Sequence, residues 1–308
     1  MNKLDQLQGL GTIVVADTGD INEIKSVNPH DATTNPSLVL KAIEKNDNII
    51  KDILKEGNAG IDLIIDKINV KLGTEISKHI PGYISTEVDA RLSFDTNKTI
   101  SRAKQIIALY EKNGVNRDRV LIKIASTWQG IQAAKELEKD GIKCNLTLLF
   151  SLTQAIACAD AKVTLISPFV GRIFDWYKDN KIEYNLDPGV KSVLDIFKYY
   201  KSNDIKTIIM GASFRSVEQI CLLAGCDRLT ISPKLINMLK DDNDQINSEI
   251  LKLNLRKDIF NNSVSESDFY WKMSQDTMAT YKLNEGIHKF ADDIRKLETI
   301  VNKAIHTK

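Results

Sequence analysis

A lysine stands inside an otherwise apolar run of the chain. Lys123 lies in the middle of Val120-Leu121-Ile122-Lys123-Ile124-Ala125, a pattern typical of a strand buried on both faces. An amine in such a place must be paired with an anion, be neutral or take part in chemistry. Burial removes the hydration that stabilises the charged form, so the neutral amine can attack a carbonyl carbon. The iminium that results accepts electrons from a neighbouring bond.

Two carboxylates could move the protons that such chemistry needs. Asp17 and Glu87 stand where two predicted strands end, and together with Lys123 they supply a nucleophile and two acid-base groups. Each residue also has a plainer interpretation: Asp17 as a turn residue, Glu87 as the partner of Arg91, and Lys123 as a structural lysine paired with a carboxylate. The joint occurrence of the three favours catalysis.

Polar side chains also stand at the ends of the other predicted strands. Strand alternation places Thr33 and Asn35 on one face, and Asn145 and Thr147 on one face of their own strand. Such pairs are consistent with side chains that point into the mouth of a barrel, although a turn, a helix cap or a core hydroxyl would explain each residue singly. Further candidates of this kind are Ser167, Ser213 and Ser232.

Arginine is rare in this chain, with nine residues against thirty-three lysines, and two of the arginines follow predicted strand ends. Arg172 comes after Ser167-Pro168-Phe169, and Arg215 comes after Gly211-Ala212-Ser213-Phe214, where a helix is predicted to open. A cation there opposes the helix dipole unless an anion lies between it and the backbone amides. The pair therefore indicates a phosphate site, although simple surface exposure would explain Arg172 alone.

Eight short runs rich in β-branched residues recur along the chain, each followed by a helical pattern. Strands that alternate with helices imply right-handed parallel connections, and eight of them favour an α/β fold of the closed (β/α)8 type, the TIM barrel, over an open sheet. In that fold the carboxyl ends of the strands carry the chemistry. The predicted strands are 12–16, 30–34, 83–88, 120–124, 143–148, 163–167, 206–210 and 228–231.

Helix boundaries are marked by capping residues and glycines. The predicted starts are Asn35-Pro36 and the capping boxes Ser126 to Gln129, Ser151 to Gln154 and Ser216 to Gln219, and the predicted stops are Gly114 and Gly141. Residues 171–205, with a helical pattern over Val190 to Tyr200, are predicted to be an elaborated loop. We expect a single domain, with the barrel over about 12–233 and extra C-terminal helices over about 234–308.

Composition excludes several classes of function. The 308 residues are 43% hydrophobic and 27% charged with a formal charge of +1, which leaves no broad basic surface for nucleic acid or an anionic membrane. The start, Met1-Asn2-Lys3-Leu4-Asp5, lacks the apolar core of a signal peptide, and no apolar run approaches the roughly 20 residues that span a bilayer. A cytoplasmic location is therefore expected.

The cysteines and histidines argue against a metal enzyme. The four histidines are scattered, and the four cysteines form no C-x-x-C pair. Cys144 and Cys158 fall in apolar strand and helix patterns, so reduced core thiols are predicted. Cys221 and Cys226 are the nearest pair, but no histidine accompanies them as a further ligand.

Taken together, six segments resemble the signature segments of transaldolases, in order, from about Asp17 to Ile231, with a weaker match in the tail. The segments are Ala32 to Ser37, Ser85 to Arg91, Val120 to Gly130, Cys144 to Ser151, Ser167 to Arg172 and Gly211 to Arg215. The resemblance implies transfer of a dihydroxyacetone unit between sugar phosphates in the pentose phosphate pathway. It implies no metal or organic cofactor, and a homodimer.

The resemblance also implies a role for each candidate residue. Lys123 forms a Schiff base with the ketose C2 carbonyl, Glu87 shuttles protons through a water held by Thr147, and Asp17 takes the C4 hydroxyl proton as the C3–C4 bond breaks. The substrate-binding residues are implied to be Thr33, Asn35, Asn145 and Ser167 at the sugar, Phe169 beside them, and Arg172, Ser213 and Arg215 at the phosphate.

Two rival functions stay open. One is a Schiff-base aldolase that releases free dihydroxyacetone; the resemblance implies that this branch tends to carry tyrosine at the position of Phe169, so phenylalanine favours transfer. The other is a non-catalytic barrel that binds sugar phosphates. Such a protein could keep Arg172 and Arg215 but would have no use for Lys123 with both carboxylates.

Overall fold

Eight parallel strands close into a barrel, as the computed structural model shows over residues 1–57, 59–256 and 263–306, the described part of the chain. The strands are β1 (Ile13–Asp17), β2 (Asp31–Thr33), β3 (Ile84–Glu87), β4 (Val120–Ala125), β5 (Cys144–Leu149), β6 (Leu165–Pro168), β7 (Ile208–Gly211) and β8 (Arg228–Ile231). They pair in chain order, and β8 pairs with β1. The predicted TIM barrel is confirmed.

The largest boundary differences lie at the amino ends of β6 and β7, which begin two residues later than predicted. Side chains supply part of the backbone hydrogen bonding there, beside one bond between the two segments, in which the Ile208 amide donates to the Thr164 carbonyl at 2.9 Å. The Thr164 amide donates to Glu138 Oε1 at 2.6 Å, and Thr207 Oγ1 donates to the Val163 carbonyl at 2.7 Å. Thr164 and Thr207 continue the β-branched pattern of the sequence, but each lies one residue before its strand begins.

Helices surround the barrel and cover its carboxyl end. In the described residues they are α1 (Lys3–Gly9), α2 (Ile21–Val27), α3 (Pro36–Lys45), α4 (Asn48–Lys55), α5 (Ile61–Ser77), α6 (Thr96–Lys112), α7 (Trp128–Lys139), α8 (Leu152–Asp160), α9 (Gly171–Asp179), α10 (Pro188–Ser202), α11 (Val217–Leu222), α12 (Pro233–Asp241), α13 (Glu266–Gln275) and α14 (Thr277–His306). Short 3-10 turns lie at Ala90–Leu92, Arg117–Arg119 and Ile250–Lys252.

Most predicted helix ends are confirmed. Asn35 caps α3, where its Oδ1 accepts from the Leu38 amide at 3.0 Å, and Ser151 with Gln154 forms a complete capping box at α8. Gly114 and Gly141 follow α6 and α7 with φ of 80° and 73°, which glycine adopts without strain.

Two predicted capping boxes are wrong in part. Thr127 rather than Ser126 caps α7, because Thr127 Oγ1 accepts from the Gly130 amide at 3.0 Å. Ser126 Oγ instead donates to the Thr147 carbonyl of β5 at 2.8 Å. Ser216 does cap α11, but Gln219 Oε1 accepts from the Arg215 amide instead of completing the box.

The predicted elaborated loop over 171–205 contains two helices, α9 and α10, and the helical pattern over Val190 to Tyr200 is confirmed within α10. The helix-rich tail is also confirmed where it is described; residues 257–262 and 307–308 of that prediction lie outside the described residues. The 30-residue α14 packs against α3 and β5 at the carboxyl end of the barrel. Ser37 there donates to Asp293, and Arg91 pairs with Glu298 at 2.6 Å.

The barrel interior has an apolar floor. Val15, Leu121, Leu165 and Met210 form a cluster of their own inside the barrel, apart from the larger core between strands and helices. In the strands, Val15, Leu121 and Leu165 stand two residues before Asp17, Lys123 and Ser167, so the side chains of each pair point to the same face. The floor therefore lies directly beneath Asp17, Lys123 and Ser167.

We predict that Gly73→Ala lowers the free energy of unfolding by about 1 to 3 kcal/mol, because an added methyl group overpacks the core between α5 and β3. A Cβ at this position would lie 1.8 Å from the hydroxyl of the fully buried Tyr110, which is hydrogen-bonded to Thr86 at 2.5 Å. The matched control is Gly9→Ala in α1, where no atom lies within 4 Å and alanine should stabilise by about 0.5 to 1 kcal/mol. Urea unfolding of both variants measures the difference, and equal effects would contradict the packing argument.

The four cysteines are free and buried, with Cys144 on β5 and Cys158 in α8 as predicted. Over the described ranges, no group of three or more histidine, cysteine or acidic residues is arranged to hold a metal ion. No helix in the same ranges is both long enough and apolar enough to cross a membrane.

Candidate active site

The strand register brings the proposed nucleophile next to a carboxylate. Glu87, Lys123 and Asn145 are directly opposite one another on β3, β4 and β5. Lys123 Nζ lies 3.3 Å from Glu87 Oε2 and donates to the Thr34 carbonyl at 3.3 Å. Lys123 is 5% exposed and Glu87 is 7% exposed, so the ion pair is withdrawn from bulk water.

Arg91 has other partners, so the alternative pairing of Glu87 with Arg91 is wrong. The Arg91 guanidinium binds Asp89 at 2.6 Å and Glu298 of α14 at 2.6 Å. Spacing of four residues would pair Glu87 with Arg91 only on a helix. Glu87 ends a strand, and its side chain turns towards Lys123 instead.

Asp17 faces the same space from the other side of the barrel. Its position at the end of β1 is in register with Thr33 of β2, whose Oγ1 donates to Asp17 Oδ1 at 3.0 Å. The Thr33 hydroxyl also lies 2.9 Å from that of Thr230 on β8. Asp17 thus belongs to a hydrogen-bonded layer of the barrel, so its interpretation as a turn residue is wrong.

Burial gives both carboxylates an unusual affinity for protons. Desolvation raises the pKa of Asp17, while Lys123, Thr33 and Arg172 pull that pKa down. Desolvation also raises the pKa of Glu87, opposed mainly by Lys123 and assisted by the nearby charge of Asp17. A carboxylate whose pKa is raised accepts a proton more readily, which suits an acid-base role close to neutral pH.

A chain of polar side chains crosses the neighbouring strands. Ser167 Oγ donates to Asn145 Oδ1 at 2.6 Å, and Asn145 Nδ2 donates to Ser85 Oγ at 3.2 Å. Thr147 Oγ1 is buried and has no hydrogen-bond partner among the described residues. Glu87 Oε2 likewise lacks a hydrogen-bond partner there apart from the 3.3 Å ion pair. Unsatisfied buried oxygens are rare, so these two are candidates to contact a ligand or water.

The backbone of β5 is irregular directly after Thr147. Leu148 has φ of 52°, uncommon for a residue other than glycine, and the register between β5 and β6 shifts between Leu146 and Leu149. The fully buried Gln154 holds this bulge, because its Nε2 donates to the Leu148 carbonyl at 3.1 Å and its Oε1 accepts from the Phe150 amide at 2.8 Å.

The two arginines are neighbours at the mouth. The Arg172 guanidinium lies over the rings of Phe169 and Phe290 at 5.0 and 5.4 Å, and no hydrogen bond or ion pair from it is found within the described residues. Desolvation and the charge of Arg215 lower the pKa of Arg172. A desolvated cation next to a second cation is a favourable place for an anion.

Arg215 differs from its prediction in two respects. It lies before the cap residue Ser216 rather than at the first helical position. The anion beside it is Asp175 of α9, whose Oδ2 lies 2.8 Å from Arg215 Nη2. Arg215 Nη1 also donates to Ser213 Oγ at 3.3 Å. The dipole of α11 alone therefore does not require a phosphate beside Arg215. What favours a phosphate site is the proximity of a second arginine, Arg172.

The two arginine segments are joined tightly. The Gly171 amide donates to the Ser213 carbonyl at 2.8 Å, and a Cβ at position 171 would lie 2.2 Å from that oxygen. Ser213 itself has φ of 63°. Only glycine permits this approach, so α9 and the loop after β7 hold Arg172 and Arg215 in a fixed relation.

Most predicted residues line one cleft at the carboxyl end of the barrel. Those that line it directly are Asp17, Thr33, Asn35, Lys123, Ser167, Phe169, Arg172 and Ser213. Glu87 contacts this set through Lys123, Asn145 contacts it through Ser167, and Arg215 contacts it through Ser213. Thr147 lies on β5 two residues after Asn145, opposite Ala125 of β4.

Four further lining residues were not predicted: Met210, Ala212, Thr230 and Phe290. Alternation within the run 228–231 would have indicated Thr230, which lies two residues after Arg228 on one face. Phe290 belongs to α14 and carries no local signal, because only the tertiary packing of that helix brings its ring to the mouth.

Comparison with known proteins agrees with this geometry. The model of the Transaldolase/Fructose-6-phosphate aldolase family matches residues 14–301. A protein of Haemophilus ducreyi named transaldolase is 53% identical over 316 residues, covering 98% of this chain and 99% of its own length. Transaldolases of Rhizobium etli and of a Marinomonas species are 52% and 54% identical, with at least 96% of each chain covered. With a family match over nearly the whole sequence and relatives above half identity, the chain belongs to the transaldolase/fructose-6-phosphate aldolase family.

Proposed function

We propose that this chain is a transaldolase, which transfers a dihydroxyacetone unit between sugar phosphates through a Schiff base on Lys123. The reaction converts sedoheptulose 7-phosphate and glyceraldehyde 3-phosphate to erythrose 4-phosphate and fructose 6-phosphate. The observation that carries the proposal is the buried Lys123 amine, 3.3 Å from Glu87 and facing a cleft that Asp17 also lines. A coupled assay for glyceraldehyde 3-phosphate, released from fructose 6-phosphate when erythrose 4-phosphate is supplied, tests it.

In the proposed mechanism, Lys123, Glu87 and Thr147 form the Schiff base. The amine of Lys123 attacks the ketose C2 carbonyl, and the carbinolamine then loses its hydroxyl as water when a proton is delivered to that oxygen. Glu87 is next to the amine, and its raised pKa equips it to carry this proton. The unsatisfied hydroxyl of Thr147 would hold the water through which Glu87 acts.

Cleavage of the carbon chain falls to Asp17. As Asp17 takes the proton of the C4 hydroxyl, the C3–C4 electron pair moves into the iminium and an aldose leaves. Asp17 reaches the cleft from β1 and Lys123 reaches it from β4, so the base and the amine approach the substrate from different strand ends. Thr33 keeps its carboxylate in place through the 3.0 Å hydrogen bond. Asn35, Asn145 and Ser167 would hold the hydroxyls of the three-carbon unit, and the acceptor reacts by the reverse steps.

The phosphate would bind between Arg172, Arg215 and Ser213. We predict that Arg215→Ala weakens transition-state binding of phosphorylated acceptors by about 1.5 to 3 kcal/mol, as for one lost charge-assisted hydrogen bond. An unphosphorylated acceptor such as glyceraldehyde should be affected far less. The quantity to measure is kcat/KM for each acceptor.

The matched control for that substitution is Arg117→Ala. Arg117 is 42% exposed and pairs with Glu111 at 2.6 Å, much as Arg215 is 40% exposed and pairs with Asp175 at 2.8 Å, but Arg117 lies at the opposite end of the barrel strands. Loss of a surface ion pair alone is worth about 0 to 1 kcal/mol and should leave both acceptors unchanged. Equal losses on both acceptors for Arg215→Ala would mean that Arg215 is structural.

Phe169 favours transfer over simple aldol cleavage. The ring packs edge-on against Phe150 at 5.4 Å and beneath Arg172, and it offers no hydroxyl to a water or an enamine. The family also includes fructose-6-phosphate aldolases, so the rival function is release of free dihydroxyacetone. Measuring free dihydroxyacetone from fructose 6-phosphate, with and without erythrose 4-phosphate, decides between the two.

We predict that exhaustive treatment with EDTA leaves the activity unchanged. The iminium on Lys123 serves as the electron sink, so the proposed steps require no Lewis acid. The assay compares transaldolase activity before and after chelation and dialysis. If the activity is lost on chelation and restored by zinc or magnesium, the protein is a metal-dependent aldolase instead.

We also propose that barrel and tail form one domain, that the protein is a cytoplasmic homodimer, and that it needs no cofactor. The single domain is supported by α14, which supplies Phe290 to the cleft and packs on β5. The dimer and the cytoplasmic location are what the resemblance to the transaldolase family implies. Light scattering on the purified protein measures the oligomeric state.

A further inference from the structure

A second cavity adjoins the cleft on the outer side of the strand ends, between α3, α5 and α14; we call it the side cavity. Its inner end is lined by Thr34, Asn35 and Glu87. Lys123 lines the cleft, Glu87 lines the side cavity, and Asn35 lines both. The 3.3 Å ion pair of Lys123 with Glu87 therefore spans the boundary between two spaces.

The side cavity is narrow and leads outwards. Its middle is apolar, with Val39 of α3, Ile65 of α5 and Leu297 of α14 as walls. The space open to water suffices for one or two water molecules. At the outer end stands Asp62, whose side chain is 58% exposed. The cavity thus connects the neighbourhood of Glu87 with the surface.

Fixed charges line the outer half of the side cavity. Arg102 binds Asp66 Oδ2 at 2.7 Å and Asp62 Oδ2 at 3.0 Å. Burial raises the pKa of Asp66 to about 6 in spite of Arg102. Arg91 stands on the other wall between Asp89 and Glu298. Charged groups held by one another in this way keep a polar, hydrated lining where α5, α6 and α14 could otherwise close on apolar side chains.

The proposed chemistry needs such a path. When the Lys123 amine condenses with the ketose, a C–N bond forms and the C2–O bond breaks. The oxygen leaves as water after it has taken one proton from the amine nitrogen and a second from Glu87. The reverse reaction consumes one water. The ketose occupies the cleft during both steps, so its own body obstructs the barrel mouth. Glu87 is the group that exchanges protons with this water, and it faces the side cavity.

We propose that the side cavity is the route by which the water formed at C2 leaves for bulk solvent and by which water returns for hydrolysis. This inference rests on the proposed transaldolase function. In this proposal, Ile65, Leu297 and Val39 are the apolar walls of the water path. The charged residues Asp62, Asp66 and Arg102 keep its outer end hydrated.

The test follows the oxygen atom at C2. Fructose 6-phosphate is incubated with the protein in H₂¹⁸O without an acceptor, and mass spectrometry measures the ¹⁸O that enters C2 beyond the uncatalysed exchange. The plugging variants are Ile65→Phe and Leu297→Phe, on opposite walls. Both should exchange the C2 oxygen several-fold more slowly than wild type, because released water is held and returns to the same carbon. The borohydride-trapped adduct at long times should stay at the wild-type amount.

The matched control is Ile53→Phe, an equal substitution at a buried isoleucine that lines a separate cleft between α4, α5 and α6. It should exchange at the wild-type rate. If one plugging variant does not fold, the other carries the result, and Val39→Ile narrows the same path by a single methyl group. A folded plugging variant that exchanges C2 oxygen as fast as wild type would overturn the inference. If borohydride traps no adduct in the wild-type protein, the proposed function is overturned, and the water path with it.

Discussion

Lys123→Met should lower transaldolase activity by a factor of at least about 10⁴, because without the amine no Schiff base forms and no iminium accepts the electrons of the C3–C4 bond. The fold should survive. Methionine fills a similar volume without a charge, and Glu87, whose pKa burial already raises, can take up a proton once its partner is gone. The measurements are kcat, urea unfolding, and peptide mass mapping after borohydride reduction with fructose 6-phosphate. In the wild-type protein the three-carbon adduct should fall on Lys123.

Lys282→Met is the matched control for that substitution. Lys282 is another buried lysine, 7% exposed, and pairs with Glu285 at 2.9 Å within α14, but it does not line the cleft. Its replacement should leave both activity and the Lys123 adduct in place. An active Lys123→Met variant, or a stable adduct on a different lysine of the wild-type chain, would end the covalent mechanism as assigned.

Asp17→Asn and Glu87→Gln should both lose about 10² to 10⁴ in rate, but they should stop the reaction at different points. Asparagine keeps the size of Asp17 and can still bind the Thr33 hydroxyl, yet it cannot take the C4 proton. The Schiff base should then form and wait uncleaved, so reduction should trap the intact six-carbon ketose on Lys123. Glutamine at position 87 cannot carry the proton that removes the carbinolamine hydroxyl, so trapping there should be slow or absent.

The mass of the trapped peptide distinguishes the two carboxylates. A three-carbon adduct in Asp17→Asn together with a six-carbon adduct in Glu87→Gln would show that the roles are reversed. Both substitutions replace a buried carboxyl group by an amide of the same size, in the site that also holds Lys123 and Arg172. Each variant thereby serves as the control for the other.

The sequence predicts the barrel and the buried position of Lys123 well because both depend on local pattern. The runs of β-branched residues around Lys123 and Asn145 mark strands buried on both faces, and strands of that kind occur in parallel sheets. Once the barrel is assumed, strand ends converge, so Asp17, Glu87 and Lys123 meet without any knowledge of contacts. The register confirms that Glu87 and Lys123 are direct neighbours.

Features that depend on tertiary packing escape such reasoning. Ser126 and Thr127 are adjacent hydroxyl residues, and either could cap α7. The Ser126 hydroxyl donates to the Thr147 carbonyl instead, which leaves Thr127 as the cap. Arg215 finds its anion in Asp175, forty residues earlier in the chain, because α9 folds over the mouth. The roles assigned to the site residues stay predictions, since geometry gives proximity and not the order of chemical steps.

The position of α14 has a consequence for synthesis of the protein. This helix supplies Phe290 to the cleft and two walls, Ile294 and Leu297, to the side cavity, and it is made after all eight strands. A ribosome-bound chain that has completed the barrel therefore carries the lysine and both carboxylates in an uncovered mouth, where water reaches any iminium freely. We therefore expect activity to appear only when α14 docks on α3 and β5, so that a chain that stops short of residue 290 folds its strands and is inactive.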